Sequence, residues 1–221
     1  MHLSQYIQRM SERTAAELHG MKFLQDFIAV PEIAQIAHQR AAELGAPQTS
    51  SSGGSFVRFL CDATAATNII EIGTGTGSLL SWIVADQPRT MNIAAMDVDG
   101  VWQKVAKDII SPHIEAHVKI RFMTGRSEEI LPRMAENAYD LIVANASAIR
   151  KDFEQAIKLL RPNGLVILTH CFNENKVLDP AQRDSQTVSL RSFLHVLKND
   201  ERLTSQMLEL GDGTFIGRLL G

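Results

Sequence analysis

From residue 68 to residue 169 the chain alternates between short apolar runs and longer stretches whose apolar positions recur at helical spacing. The runs at 68–72, 92–96, 118–123, 139–144 and 165–169 read as strands, and the stretches at 79–85, 101–110, 128–135 and 149–160 read as helices. Runs that are apolar throughout belong to strands covered on both faces, and strands joined through helices lie parallel in one sheet. Arg161, Pro162, Asn163 and Gly164 supply the break before the fifth strand. A helix over 187–197 follows. The end differs: apolar runs at 204–210 and 214–220 are joined by Gly211, Asp212 and Gly213, which predicts a hairpin and an antiparallel pair at the sheet's edge.

Ahead of this core, residues 3–44 carry a helical pattern, with Pro31 at a first turn and Gly45 and Pro47 closing the segment. A turn over 45–54 takes in the SSSGGS cluster, and Phe56, Val57, Phe59 and Leu60 form the apolar stripe of a helix over 56–66. The expectation is a single domain over 1–221, with a helical extension at 1–50 and an α/β core at 51–221.

A chain of 221 residues with 45% hydrophobic and 21% charged content can bury one large core. The net charge of −3 comes without a long basic run, so neither nucleic acid nor an anionic membrane surface is an expected partner. Cys61 and Cys171 form no CxxC pair, and no signal-like apolar segment follows a basic start, so a reduced, cytoplasmic protein is expected. No apolar stretch approaches the roughly 20 residues that span a bilayer.

The chemistry concentrates at NIIEIGTGTGS, residues 68–78. Ile69, Ile70 and Ile72 make a buried strand that runs into Gly73, Gly75 and Gly77, where the main chain can approach a ligand closely. A helix starting near Ser78 would aim its N–H groups at that ligand. A dinucleotide fingerprint fails here, because the third glycine of GxGxxG falls on Ser78. The spacing is ExGxGxG, which resembles motif I of the class I methyltransferases that use S-adenosylmethionine. Asp97 ends the second strand roughly twenty residues after the turn, where an acid takes ribose hydroxyls, with Val98 beside it; Asp99 reads as the cap of the next helix. Gly125, Arg126 and Ser127 border an adenine ring in this reading, and Ser127 also suits a helix N-cap. Glu71 holds either backbone N–H groups or the ligand's ammonium.

Further motifs extend the resemblance. EIGTGTGSLLSW (71–82), AMDVDGVWQKVAKD (95–108), TGRSEEILPRM (124–134), YDLIVAN (139–145), LLRPNGLVIL (159–168), KVLDP (176–180) and LGDG (210–213) together resemble the catechol O-methyltransferase-like family, in its bacterial branch called O-methyltransferase family 3. The resemblance implies a Rossmann-like α/β fold with a seven-stranded, mostly parallel sheet of order 3-2-1-4-5-7-6. It also implies S-adenosylmethionine as methyl donor, a hydroxyl acceptor and commonly a homodimer.

The departures bear on the mechanism. The family holds a divalent cation on an aspartate after the fourth strand and an Asp-Asn pair after the fifth; here Asn145, then Thr169 and His170, occupy those places. The family's lysine is replaced by Ala148, with Arg150 and Lys151 close by. Hard cations want charged oxygen ligands, so the expectation is an atypical or absent metal site. His170 beside the donor methyl could act as general base, since imidazole titrates near neutrality; the bland alternative is a hydrogen-bonded structural histidine. Residues 172–184 lack apolar periodicity and read as a loop over the acceptor, whereas Trp82 and Trp102 read as packing. The expected function is S-adenosylmethionine-dependent methylation of a small-molecule hydroxyl, phenols among the candidates, with His170 and Asn145 as catalytic residues. The alternative is a protein that binds S-adenosylmethionine without catalysis, as a sensor or regulator.

Overall fold

The computed structural model describes residues 19, 20, 22–24 and 26–221; the helical reading of residues 3–18 lies outside them. Helix α1 (Glu32–Leu44) follows Pro31 and ends at Gly45, which adopts the left-handed conformation at φ 63°. Its buried face, Ile33, Ala34, Ala37 and Ala41, packs towards the sheet's helical layer. Helix α2 runs over Ser51–Ala63 and so begins inside the cluster that the composition marks as a turn. The reason is local. Ser50 caps the helix by accepting from the Gly53 N–H at 3.1 Å, and Gly54 lies against the Trp82 indole, where a Cβ would come within 2.4 Å. Glycine is placed there for closeness, not for a turn.

The strands are β1 (Asn68–Ile72), β2 (Met91–Asp97), β3 (Val118–Thr124), β4 (Tyr139–Asn145), β5 (Leu160–Thr169), β6 (Leu203–Leu208) and β7 (Thr214–Leu219). They form one sheet of order β3-β2-β1-β4-β5-β7-β6, with the first five parallel and β7 antiparallel to both neighbours. This is the Rossmann-like α/β sheet that the alternating pattern and the family resemblance lead one to expect. Helices α3 (Leu80–Val84), α4 (Gly100–Ile110), α5 (Ser127–Ile130), α6 (Ala146–Ile149), α7 (Phe153–Leu159) and α8 (Ser185–Lys198) complete the chain.

Two further details differ from the pattern. Residues 161–164 belong to β5 as an irregularity in the ladder: Leu160 pairs with Tyr139 and Leu165 with Leu141, and Gly164 fits because a Cβ would sit 2.9 Å from the Arg161 carbonyl. The helix expected at 149–160 starts earlier and breaks, because the Asn145 side chain caps α6 and Asp152 leaves helical geometry before α7.

Both faces of the sheet are covered. Ile69, Leu141, Val143 and Ile167 pack under α2, α3 and α4, while Ile70, Ile142, Val166 and Leu168 pack under α7 and α8. Ile69 and Ile70 are fully buried on opposite faces, each contributing about 1.5–3 kcal/mol. Asp140 ties β1 to β4 at the strands' N-terminal ends. Its buried carboxylate accepts from the Thr67 N–H at 2.6 Å, the Thr67 hydroxyl at 3.0 Å and the Asn68 N–H at 2.9 Å, and it pairs with Arg161 at 2.8 Å.

Candidate active site

A cavity of about 470 Å³ lies over the carboxyl ends of the central strands, where β1 is flanked by β2 on one side and β4 on the other. Open parallel sheets place ligands at such a switch point. Its walls include Glu71, Gly73, Gly75, Ser78, Asp97, Val98, Gly125, Arg126, Ser127, Asn145 and His170, so almost all of the residues singled out in the sequence converge there. Gly77 does not line the cavity. It sits at φ 86° with a would-be Cβ 2.8 Å from Ile110 Cδ1 and 3.2 Å from Ala106 Cβ, so it serves the close packing of the turn on α4.

The glycine turn is held from below. Gly73 and Thr74 donate their N–H groups to the Met96 carbonyl at 2.9 and 3.2 Å, and Gly75 donates to Asp97 Oδ2 at 2.7 Å. Asp97 Oδ1 accepts from the Asp99 N–H at 2.8 Å, and Asp99 caps α4 through the Val101 and Trp102 N–H groups, as its position after the strand suggests. Gly75 has a φ of 55° and nothing within 4 Å of a would-be Cβ. No neighbouring protein atom needs its smallness, so the left-handed backbone accounts for the glycine, and the open space over it is room for a ligand. Helix α3 starts at Leu80, later than expected, and is short, so the donors facing the cavity come from the turn and not from a helix end. Ser78 instead accepts from the Thr49 N–H at 3.0 Å, which brings Pro47, Gln48 and Thr49 into the cavity wall.

Glu71 is 2% exposed, and its Oε2 has no hydrogen-bond partner among the described residues. Burial pushes its pKa up to about 7; the Thr74 hydroxyl pulls the other way, and the Asp97 charge adds to the rise. An unsatisfied buried carboxyl in a ligand-sized cavity is a group missing its donor.

On the far side, the expected Ser127 cap is not formed: Arg126 holds the cap position of α5, and the Ser127 hydroxyl donates to Asp152 Oδ2 at 2.6 Å. Asn145 Oδ1 accepts from the Ser147 N–H at 2.9 Å. His170 has a left-handed backbone at φ 56°, and its Nδ1 lies 3.1 Å from Thr169 Oγ1, which donates to the Ala144 carbonyl in a long bond of 3.4 Å. Among the described residues, no group of three or more His, Cys, Asp or Glu could hold a metal ion. Sequence reasoning missed Thr49 and Asp152, and Trp102, which it read as packing, also stands in the wall. Trp102 had a signal, its place next to the Asp99 cap, whereas Asp152 is visible only after α6 and α7 separate. Trp82 is buried packing beside His38, as expected.

The strand order, the cavity over the central strands and the glycine turn beneath it define a class I methyltransferase. Solved structures that share the fold include two O-methyltransferases. TomG, an O-methyltransferase of Streptomyces achromogenes solved with S-adenosylmethionine, aligns with a TM-score of 0.77 at 21% identity, over 91% of this chain and 95% of that one. The O-methyltransferase of Bacillus cereus, solved with S-adenosylhomocysteine, aligns with a TM-score of 0.76 at 21% identity, over 90% and 96%. The O-methyltransferase family model matches residues 25–220. A relative in Mycobacteroides abscessus, described provisionally as an O-methyltransferase, is 30% identical over 188 residues, 84% of this chain and 87% of its own. The chain belongs to the O-methyltransferase family, a family of S-adenosylmethionine-dependent enzymes. No helix among the described residues is long and apolar enough to cross a membrane.

Proposed function

We propose that the protein methylates a hydroxyl of a small, phenolic acceptor, with His170 as general base and no divalent metal. When bound, S-adenosylmethionine supplies a methyl group on a sulfonium, already a good leaving group. The chain's own tasks are then to seat the cofactor, align the acceptor and accept one proton. Glu71 Oε2 suits the cofactor's ammonium, the donor that its burial lacks. Asp97 keeps lone pairs for the ribose hydroxyls beyond its two backbone bonds, and Val98, Gly125, Arg126 and Ser127 would border the adenine. Gly73 and Gly75 let the methionine end approach the turn, and Asn145, across from Gly73, would touch it from the β4 side.

The observation that carries the proton step is the Ala144, Thr169, His170 chain. With the Thr169 hydroxyl donating to the Ala144 carbonyl, His170 Nδ1 carries the proton and donates to Oγ1. The Nε2 lone pair is then left for the acceptor's proton. The strand-end groups do not suit a hard divalent cation. At the ends of β4 and β5 there is no carboxylate, the Asn145 oxygen is already engaged by Ser147, and Thr169 and His170 are bonded to each other.

Titration calorimetry and product assays test this reading. Asp97→Ala should weaken cofactor binding strongly, whereas His170→Ala should bind cofactor and slow transfer about a hundredfold or more. A chelator should leave the rate in place. Unchanged affinity in Asp97→Ala removes the ribose assignment, and a large loss on chelation removes the metal-free one. Cofactor binding without transfer to any phenol would favour the non-catalytic, sensing role. The homodimer and the cytoplasmic location belong to the same proposal, and light scattering after gel filtration tests the first.

A further inference from the structure

Arg150 stands half-buried in the cavity wall, and among the described residues it makes no ion pair. Its Nε donates to Ser189 Oγ on α8 at 3.0 Å, and its Nη1 donates to the Ser147 carbonyl on α6 at 2.8 Å. Both acceptors are neutral. Removing a guanidinium partly from water without a counter-charge is costly, and a ligand that brings the charge offsets that cost. The two bonds come from separate helices and fix the fork, yet among the described residues they leave Nη2 and the remaining Nη1 hydrogen without partners.

Asp97, Glu128 and Asp152 already accept from Gly75, Arg126 and Ser127, and Glu71 faces the glycine turn. Arg150 and Lys151 lie on the segment that leaves β4 at Asn145, and Asn145 pairs with Thr169 next to His170. Asp152 shares this segment, but its Oδ2 accepts from the Ser127 hydroxyl, and among the described residues neither Arg150 nor Lys151 is ion-paired with it.

We propose that Arg150 determines acceptor specificity by taking a carboxylate end-on, so that the acceptors are small hydroxycarboxylic acids. This rests on the methyl-transfer reading above. A planar carboxylate matches the paired donors of the fork, and Lys151 adds a second, adaptable cation at the rim.

The test is calorimetric titration of the protein, with and without S-adenosylhomocysteine, using para-hydroxybenzoate, its methyl ester and para-hydroxyphenyl phosphate. The acid should bind about tenfold or more tightly than the ester, and Arg150→Met should bring the two within about twofold of each other. Because Arg150 joins α6 to α8, Arg150→Lys serves as the second variant; it keeps the charge without the fork and should retain part of the preference. A wild type that binds the acid no better than the ester overturns the proposal, as does a preference that survives in Arg150→Met. Tighter, Arg150-dependent binding of the phosphate overturns the carboxylate assignment in favour of a phosphorylated acceptor. An acid that binds through Arg150 but is never methylated supports the assignment and refutes methyl transfer instead.

Discussion

Ionisation of Glu71 should control cofactor affinity. Its carboxyl is raised from the ordinary value of 4.5 to about 7 by burial, with Oε2 unpartnered among the described residues. A bound ammonium favours the charged form, so the cofactor must draw the proton off before the pair can form. At about pH 6, one unit below that pKa, about ten in eleven ligand-free molecules hold the proton, and apparent affinity should be about tenfold weaker than at full ionisation, about 1.4 kcal/mol. Binding at that pH should release close to one proton, which calorimetry in buffers of different ionisation heat reads directly. The sign for stability is opposite. A raised carboxyl pKa favours the ligand-free fold below about pH 4.5, and this contribution, about 3 kcal/mol, is lost as the pH rises through about 7. Glu71→Gln should flatten both profiles between about pH 5 and 7, where the cofactor's own amine stays protonated. Affinity that is level across this range, with no proton released, would refute the ammonium assignment, as would a variant that keeps the wild-type profile.

Two glycines of the turn should respond differently to alanine. Gly75→Ala meets open space and should cost about 1–2 kcal/mol in stability for its positive φ, yet reduce cofactor affinity by more than that; Gly77→Ala, strained and pressed on Ile110 and Ala106, should cost about 2–4 kcal/mol in urea unfolding. Removing the Asp140 carboxylate as Asp140→Ala leaves the Thr67 and Asn68 donors unmatched at the foot of β1 and should cost about 3 kcal/mol, measured by the same unfolding experiment. A loss under about 1 kcal/mol would mean that water replaces the carboxylate.

What could be read from the sequence was whatever depends on short-range periodicity. The five parallel strands, the hairpin at 211–213 and the Asp99 cap follow from residues a few positions apart, and so did the set of side chains gathered at the strand ends. What could not be read depends on partners far along the chain. Ser78 looks like a helix start until Thr49 claims its hydroxyl, and Ser127 looks like a cap until Asp152 arrives from beyond β4. Gly54 signals a turn by composition, but the bulk of Trp82, on another helix, is why it is glycine. The left-handed backbone of His170 likewise has no marker in a histidine; the pairing around it fixes it.

That pairing has a consequence for how the enzyme could change. Past β5 the chain keeps to the hairpin tip: Cys171 and Phe172 donate to the Gly213 and Asp212 carbonyls at 3.0 and 2.8 Å, and the Asp212 carboxylate accepts from the Glu174 N–H. His170 is thus braced by the last strands of the chain, whereas the glycine turn is braced by β2 and α4. The two halves of the cavity have separate foundations, so on the proposed roles a substitution in the 211–213 tip should disturb His170 and leave the glycine turn in place.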